Sequence, residues 1–272
     1  MIQLTEQFKS LENFLNSNLS SHISINISIS RNQIDEEGLS SLGSALAQCS
    51  NLQNLTLEHY LVQMKSESAS KLVSDLTNCA KIQKMALDFS SNPIYDDGLK
   101  DLSSHLYKFA NLETLALKFY STQIYEDGAI SLGQNLAKCT NLKNLTIKLN
   151  NNQIQDNGLL GLCSGLLNIP NISSLKLILG NTFIRSNGAM GISSTLPNFS
   201  KLIDLTLNIS VNFIDDEGAI SLSSAIRQCK QLRFLELDLW NNTLSSESAR
   251  KIWKIMNQIL KAKRLIKKLI AI

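Results

Sequence analysis

The chain has 272 residues, of which 43% are hydrophobic and 18% charged; that is enough apolar material for a sizeable core and excludes a disordered chain. No uninterrupted run of 18 apolar residues occurs, which excludes a membrane-spanning helix of the usual kind. The net charge of +3 hides an asymmetry: Ser248 to Ile272 holds eight basic residues and no acid, while the other 18 basic residues face 23 acidic ones, a net of −5.

In chain order, the first ten residues carry acid and amide groups where a secretory signal would have a basic segment and an apolar run. A cytoplasmic chain is therefore expected, with its five cysteines as free thiols. Leu4, Phe8, Leu11 and Leu15 fall at i, i+4, i+7 and i+11. That spacing predicts one amphipathic helix, within a capping segment spanning residues 1–21.

From residue 22 to 260 a single pattern recurs every 30 residues without drift, giving eight units. Asn32-Gln-Ile-Asp-Glu-Glu-Gly38 returns as Asn92 to Gly98, Thr122 to Gly128, Asn152 to Gly158, Thr182 to Gly188 and Asn212 to Gly218. Val62 to Ser68 and Asn242 to Ser248 place serine where the others have glycine. Within each unit, alternation such as Leu142/Leu145/Ile147/Leu149 predicts a strand with one buried face. After the glycine, spacing such as Leu132/Leu136/Cys139 predicts a helix with one inward stripe. The acidic or serine column Glu36, Ser66, Asp96, Glu126, Asp156, Ser186, Asp216 and Ser246 is read as helix N-capping.

A strand, an Asn-x-Ile turn and a returning helix make a right-handed βα coil. The run Leu-xx-Leu-x-Leu…Asn-x-Ile-x-Asp-x-Gly-xxx-Leu-xxx-Leu-xx-Cys resembles the leucine-rich repeat, specifically its ribonuclease-inhibitor-like subclass. That resemblance implies an α/β solenoid, a horseshoe with a parallel sheet on the concave face and helices on the convex face. Its function would be non-catalytic protein binding, as scaffold or adaptor, through the concave sheet and the loop edge. Alternatives within the same class are a regulatory subunit, GTPase-activator-like or ribonuclease-inhibitor-like, and a structural subunit of a ciliary or cytoskeletal assembly. The repeat here is 30 residues where the family usually has about 28 to 29. The extra x-apolar pair predicts strands longer by about 6 to 7 Å.

Eight strands stacked at about 4.8 Å give a concave face of about 600 to 700 Å², close to the roughly 800 Å² per partner of a standard interface. The positions between the buried leucines line it. Lys118, Lys148 and Lys176 form a basic patch there, with Glu58 and Asp88 on one side and Glu236 and Asp238 on the other. Tyr60, Tyr120, Phe234 and Trp240 are candidate anchors, since aromatic residues dominate interface energetics. The predicted partner-binding set is thus Tyr60, Lys118, Tyr120, Lys148, Lys176, Phe234, Asp238 and Trp240.

Cys49, Cys79, Cys139 and Cys229 share a column with Phe109, Ile169, Phe199 and Ile259, which marks an apolar core position. Cys163, one residue after Leu162, is expected to be half exposed. His59 takes an inward column filled elsewhere by Phe89, Phe119 and Leu149, and cannot converge with His22 and His105. The acidic turns are attributed to capping over a calcium edge, and Tyr95 and Tyr125 are expected side by side on the loop edge. No phosphate-binding, zinc or serine-nucleophile motif is present, so no cofactor, metal or catalytic residue is expected.

Ile252, Met256 and Ile259 continue the eighth helix stripe. Residues 261–272 are then read as a basic amphipathic cap or tail at helical spacing, the only segment suited to a membrane surface. A nucleic acid partner is not expected, because no basic stripe lies on the main face.

Overall fold

The computed structural model describes residues 4–29, 34–59, 64–263 and 267–271. Strands β1 (Glu6–Phe8), β2 (Ser24–Ile29), β3 (Asn54–His59), β4 (Lys84–Asp88), β5 (Thr114–Lys118), β6 (Asn144–Lys148), β7 (Ser174–Ile178), β8 (Asp204–Asn208), β9 (Phe234–Asp238) and β10 (Lys267–Ala271) form one parallel sheet in chain order. Between them run α1 (Leu11–Leu15), α2 (Glu36–Leu46), α3 (Ser66–Leu76), α4 (Tyr95–Ser103), α5 (Glu126–Leu136), α6 (Gln155–Leu166), α7 (Ser186–Thr195), α8 (Asp216–Gln228) and α9 (Ser246–Lys263). From β2 to β9 the register between neighbours equals the sequence period, so Leu115 pairs with Leu145 and Leu145 with Leu175. Each repeat therefore stacks the same residue types over one another. The inward strand columns and the helix stripe close on a continuous core that includes Leu117, Ile147, Leu177, Leu132 and Leu162.

The cysteine column is core: Cys49, Cys79, Cys139 and Cys229 are buried free thiols. Cys163 departs from expectation. It is buried too, because α6 packs closely against α7 and Thr195 bonds the thiol; burial pushes its pKa up to about 12.

The turn after each strand uses two devices. Ser91, Ser121, Asn151, Asn181, Val211 and Asn241 all lie in the left-handed region, with φ between 53° and 60°, turning the chain off the sheet. In the following position Asn92, Asn152 and Asn212 are buried and satisfy backbone that has left the ladder. Asn152 Oδ1 accepts from the Thr122 and Ile124 N–H groups, and its Nδ2 donates to the Phe119 and Leu149 carbonyls. Thr122 and Thr182 fill the same column in the alternate repeats and donate to the carbonyl three residues back. The strands β4 to β9 hold five residues each, shorter than the inserted pair implied. Parallel hydrogen bonding nevertheless runs through that pair, from Leu149 N–H to Ile178 O and Asn151 N–H to Gly180 O. The left-handed residue ends the extended backbone before the bonding ends.

The acid column does not chiefly cap its own helices. Asp96 accepts from the Tyr125 N–H, Asp156 from Arg185, Asp216 from Ser245 and the Ser186 hydroxyl from Asp215. Each donor is the residue ahead of the next helix, so the column ties one repeat to the following one. The side-chain caps observed come one residue earlier, where Asp35 accepts from Gly38 and Asp215 from Gly218.

Both ends differ from the helical expectation. Glu6–Phe8 is a strand paired with β2, and only Leu11–Leu15 is helical; Leu4 is 87% exposed. An open sheet edge offers Glu6–Phe8 backbone partners that outweigh a helix-spaced stripe. Phe14 fills the core end, and His22 is buried beside Phe8 and Phe14. Its Nδ1 bonds Glu6 Oε1 at 2.9 Å and its Nε2 bonds the Ser17 hydroxyl at 2.7 Å, which pins the segment. At the other end, Lys267–Ala271 pairs in parallel with β9 instead of continuing a helix, Lys268 opposite Leu235 and Ile270 opposite Leu237. Lys268-Leu269-Ile270-Ala271 shows no polar/apolar alternation of its own, so the unpaired edge of β9 decides for the strand. Residues 264–266 and 272 lie outside the described residues.

Candidate functional site

Between the inward columns, alternate strand residues face the concave side, most of them half-buried or exposed, with Ser24, Asp88 and Thr206 buried. One column runs Thr56, Ala86, Ala116, Thr146, Lys176, Thr206 and Glu236 across β3 to β9. Its small residues Ala86 and Ala116 floor an open trough with Asn54, Lys84 and Thr114. The next column, Glu58, Asp88, Lys118, Lys148, Ile178, Asn208 and Asp238, changes sign twice.

Of the predicted residues, Lys118 lies opposite both Asp88 and Lys148. Its ammonium is 3.1 Å from Asp88 Oδ2 and 3.8 Å from Glu58 Oε1, so part of the basic patch is neutralised within the sheet. Lys148 is half-buried, and burial lowers its pKa first; the Lys118 and Lys176 ammoniums lower it further while Asp88 opposes them. Lys176 lies opposite Thr146, one diagonal step from Lys148. Tyr120 stands beside them, its hydroxyl accepting from Asn151 Nδ2 at 2.8 Å. Phe234 and Asp238 lie on β9, two strands beyond Lys176; Asp238 accepts from Asn208 Nδ2 at 2.7 Å and from the Trp240 N–H. Trp240 is 59% exposed. Tyr60 lies outside the described residues, as does the side chain of His59 at the end of β3. The structure thus gathers Lys118, Tyr120, Lys148 and Lys176, and sets Phe234, Asp238 and Trp240 apart as a second group near the end of the sheet.

Two aromatic residues escaped the sequence reading. Phe183 and Phe213 are 46% and 51% exposed and their rings meet at 6.1 Å. They occupy a column that is Pro93, Gln123, Gln153 and Thr243 elsewhere, so phenylalanine in a polar column was the available signal. With Tyr95, Tyr120, Tyr125 and Trp240 they line the strand-to-helix edge. Tyr95 and Tyr125 share an open cleft with Asp96, Asp97 and Asp127. Burial raises the Asp96 pKa, against hydrogen bonds from the Tyr125 and Gly128 N–H groups.

No group of three or more metal-ligating side chains occurs among the described residues, and no helix among them is long and apolar enough to cross a membrane. His105 sits at the end of α4, away from His22; burial and Lys108 lower its pKa. The arrangement is an open, mixed-charge sheet bordered by exposed aromatic rings, a form suited to a macromolecular surface rather than to enclosing a small molecule.

Residues 85–103 and 138–163 match the Leucine Rich repeat family. The first stretch covers β4 and α4, the second β6 and the start of α6 with the turn between. No curated protein matches the chain. A crystal structure of a Bacteroides fragilis protein is similar at 15% identity, with a TM-score of 0.49, over 90% of this chain and 66% of that one. Repeats of this type generally serve as protein-interaction scaffolds without catalysis of their own. With its sequential parallel strands and a helix on each return, the fold is an α/β leucine-rich-repeat solenoid.

Proposed function

We propose that the protein is a non-catalytic scaffold or adaptor that binds a protein partner through the concave sheet and its strand-to-helix edge. The observation that carries this reading is the line of exposed aromatic rings, Tyr120, Phe183, Phe213 and Trp240, beside a sheet whose inward leucine and isoleucine columns are buried. Isolated exposed apolar residues need no explanation, but a row along one edge marks an interaction surface. A helix of 9 to 13 residues in each return from α2 to α8 supports placement in the ribonuclease-inhibitor-like subclass. On this reading residues 1–21 and the segment after residue 260 close the two ends of the repeat array.

The test is affinity purification from native cells with wild type, with Tyr120→Ala/Trp240→Ala and with a chain truncated after Lys261. The proposal expects a protein retained by wild type and by the truncated chain to be lost by the aromatic variant. Retention by the aromatic variant with loss on truncation would move the function to the basic terminus and refute it.

A further inference from the structure

The charges on the concave face are unevenly satisfied. Asp88 and Glu58 hold Lys118. Asp204 accepts from the Ser174 hydroxyl, Glu236 from the Thr206 hydroxyl, and Asp238 from Asn208 and the Trp240 N–H. These acids are thus engaged by their neighbours. Lys148 and Lys176 carry no ion pair or hydrogen bond of the ammonium among the described residues.

Their placement sharpens the contrast. Lys118 and Lys148 are directly opposite on adjacent parallel strands, a like-charge pair that works against sheet stability. Lys176 adds a third positive charge one diagonal step away. Thr146, Asn144 and Asn150 carry no acid; the acids nearest Lys148 and Lys176 are Asp204, one diagonal step from Lys176 and accepting from the Ser174 hydroxyl, and Asp88, which already pairs with Lys118. Burial and the two ammonium neighbours all disfavour the charged form of Lys148. An incoming carboxylate removes that penalty, so binding energy gained here is larger than for a solvated surface lysine. Tyr120 and the amides at Asn144 and Asn150 border the site and can bond the backbone or flank of the incoming segment.

We propose that Lys148 and Lys176 receive an acidic segment of the protein partner, whose aspartate or glutamate carboxylates complete the charge balance of the concave face. The inference deepens the scaffold reading above and rests on it.

The probe is fluorescein-labelled hexaglutamate, titrated by anisotropy onto the full chain and mapped by backbone amide shifts. Saturable, salt-sensitive binding is expected, with shifts centred on Thr146, Lys148 and Lys176. Lys148→Gln/Lys176→Gln weakens it roughly tenfold, the effect of losing two partly solvated ion pairs. Lys251→Gln/Lys254→Gln on the exposed basic face of α9 leaves it nearly unchanged. Melting of the double variant verifies its fold, and Lys176→Gln alone serves should the double variant unfold. Binding by Lys148→Gln/Lys176→Gln equal to wild type, shifts confined to residues 246–271, or tighter binding of a short single-stranded oligonucleotide at the same lysines would overturn the proposal. A partner lost by Tyr120→Ala/Trp240→Ala but kept by Lys148→Gln/Lys176→Gln would leave the scaffold reading intact and remove only this inference.

Discussion

Gly133→Ala tests how the solenoid is held together on its helical side. Gly133 lies in α5 against α6, and a Cβ there would sit 2.7 Å from the Gly161 carbonyl oxygen and 2.7 Å from the Leu162 Cα. Both obstacles are backbone, so no rotamer change relieves them. Restoring ordinary contact needs α5 and α6 to part by roughly 0.5–1 Å, which forfeits about a quarter to a half of the dispersion energy across the affected contacts. Leu132, Leu136, Leu162 and Leu166 are fully buried along this seam and would lose contact together. Overpacking of this kind costs about 1–3 kcal/mol, against a gain of about 0.5–1 kcal/mol from replacing glycine by alanine in a helix. The two ranges leave a net loss of up to about 2.5 kcal/mol, centred near about 1 kcal/mol, or a fall in melting temperature of about 2–4 °C at that centre. Gly43→Ala in α2 is the internal control, because its nearest obstacle, at 2.5 Å, is the carboxylate end of Asp75. That side chain can swing away, so Gly43→Ala should be neutral or stabilising. Urea unfolding followed by far-ultraviolet circular dichroism reads both. An unchanged or raised midpoint for Gly133→Ala would refute the argument that backbone contact between α5 and α6 sets their separation.

Asn152→Ala strips two acceptor and two donor bonds from buried backbone; at about 1–3 kcal/mol for each polar group left unsatisfied, it should rank among the most damaging single substitutions in urea unfolding, and a midpoint near wild type would contradict the assigned network. Val211 holds a left-handed φ of 54° that a β-branched side chain disfavours, so Val211→Asn should raise the unfolding midpoint by the equivalent of about 1 kcal/mol, while no gain would indicate that the turn tolerates valine without strain. The thiol pKa of Cys163 is raised from 9.0 to about 12 by burial. Its stabilising contribution is therefore present below pH 9 and lost as pH rises toward 12, because the unfolded thiol ionises first. Unfolding midpoints measured upward from neutral pH should fall above pH 9, and fall less steeply in Cys163→Ala; parallel curves for the two chains would refute it.

The 30-residue period carried the fold because register and period coincide: when Leu115, Leu145 and Leu175 stack directly, any sequence column is also a spatial column. The same identity explains what stayed hidden. Asp96 resembles a helix cap in a single repeat, yet its acceptor serves Tyr125 in the next one, and a cap and a tie between repeats have the same sequence signature. At the ends the period has no neighbour to copy, so the open edges of β2 and β9 settled the conformations of Glu6–Phe8 and Lys267–Ala271 against their helical spacing. Cys163 was misplaced because its burial comes from α7, whose Thr195 bonds the thiol, a packing detail between repeats that periodicity does not contain. Function lies in the complement of the pattern. Buried leucines repeat because each repeat needs the same neighbour, whereas a partner can distinguish one part of the surface only where columns break. Lys176 is the one lysine in its strand column, Lys118 and Lys148 are the basic step in theirs, and Phe183 and Phe213 interrupt a polar edge column. Binding specificity in a solenoid is therefore legible as departures from the repeat, and the partner should contact these departures together.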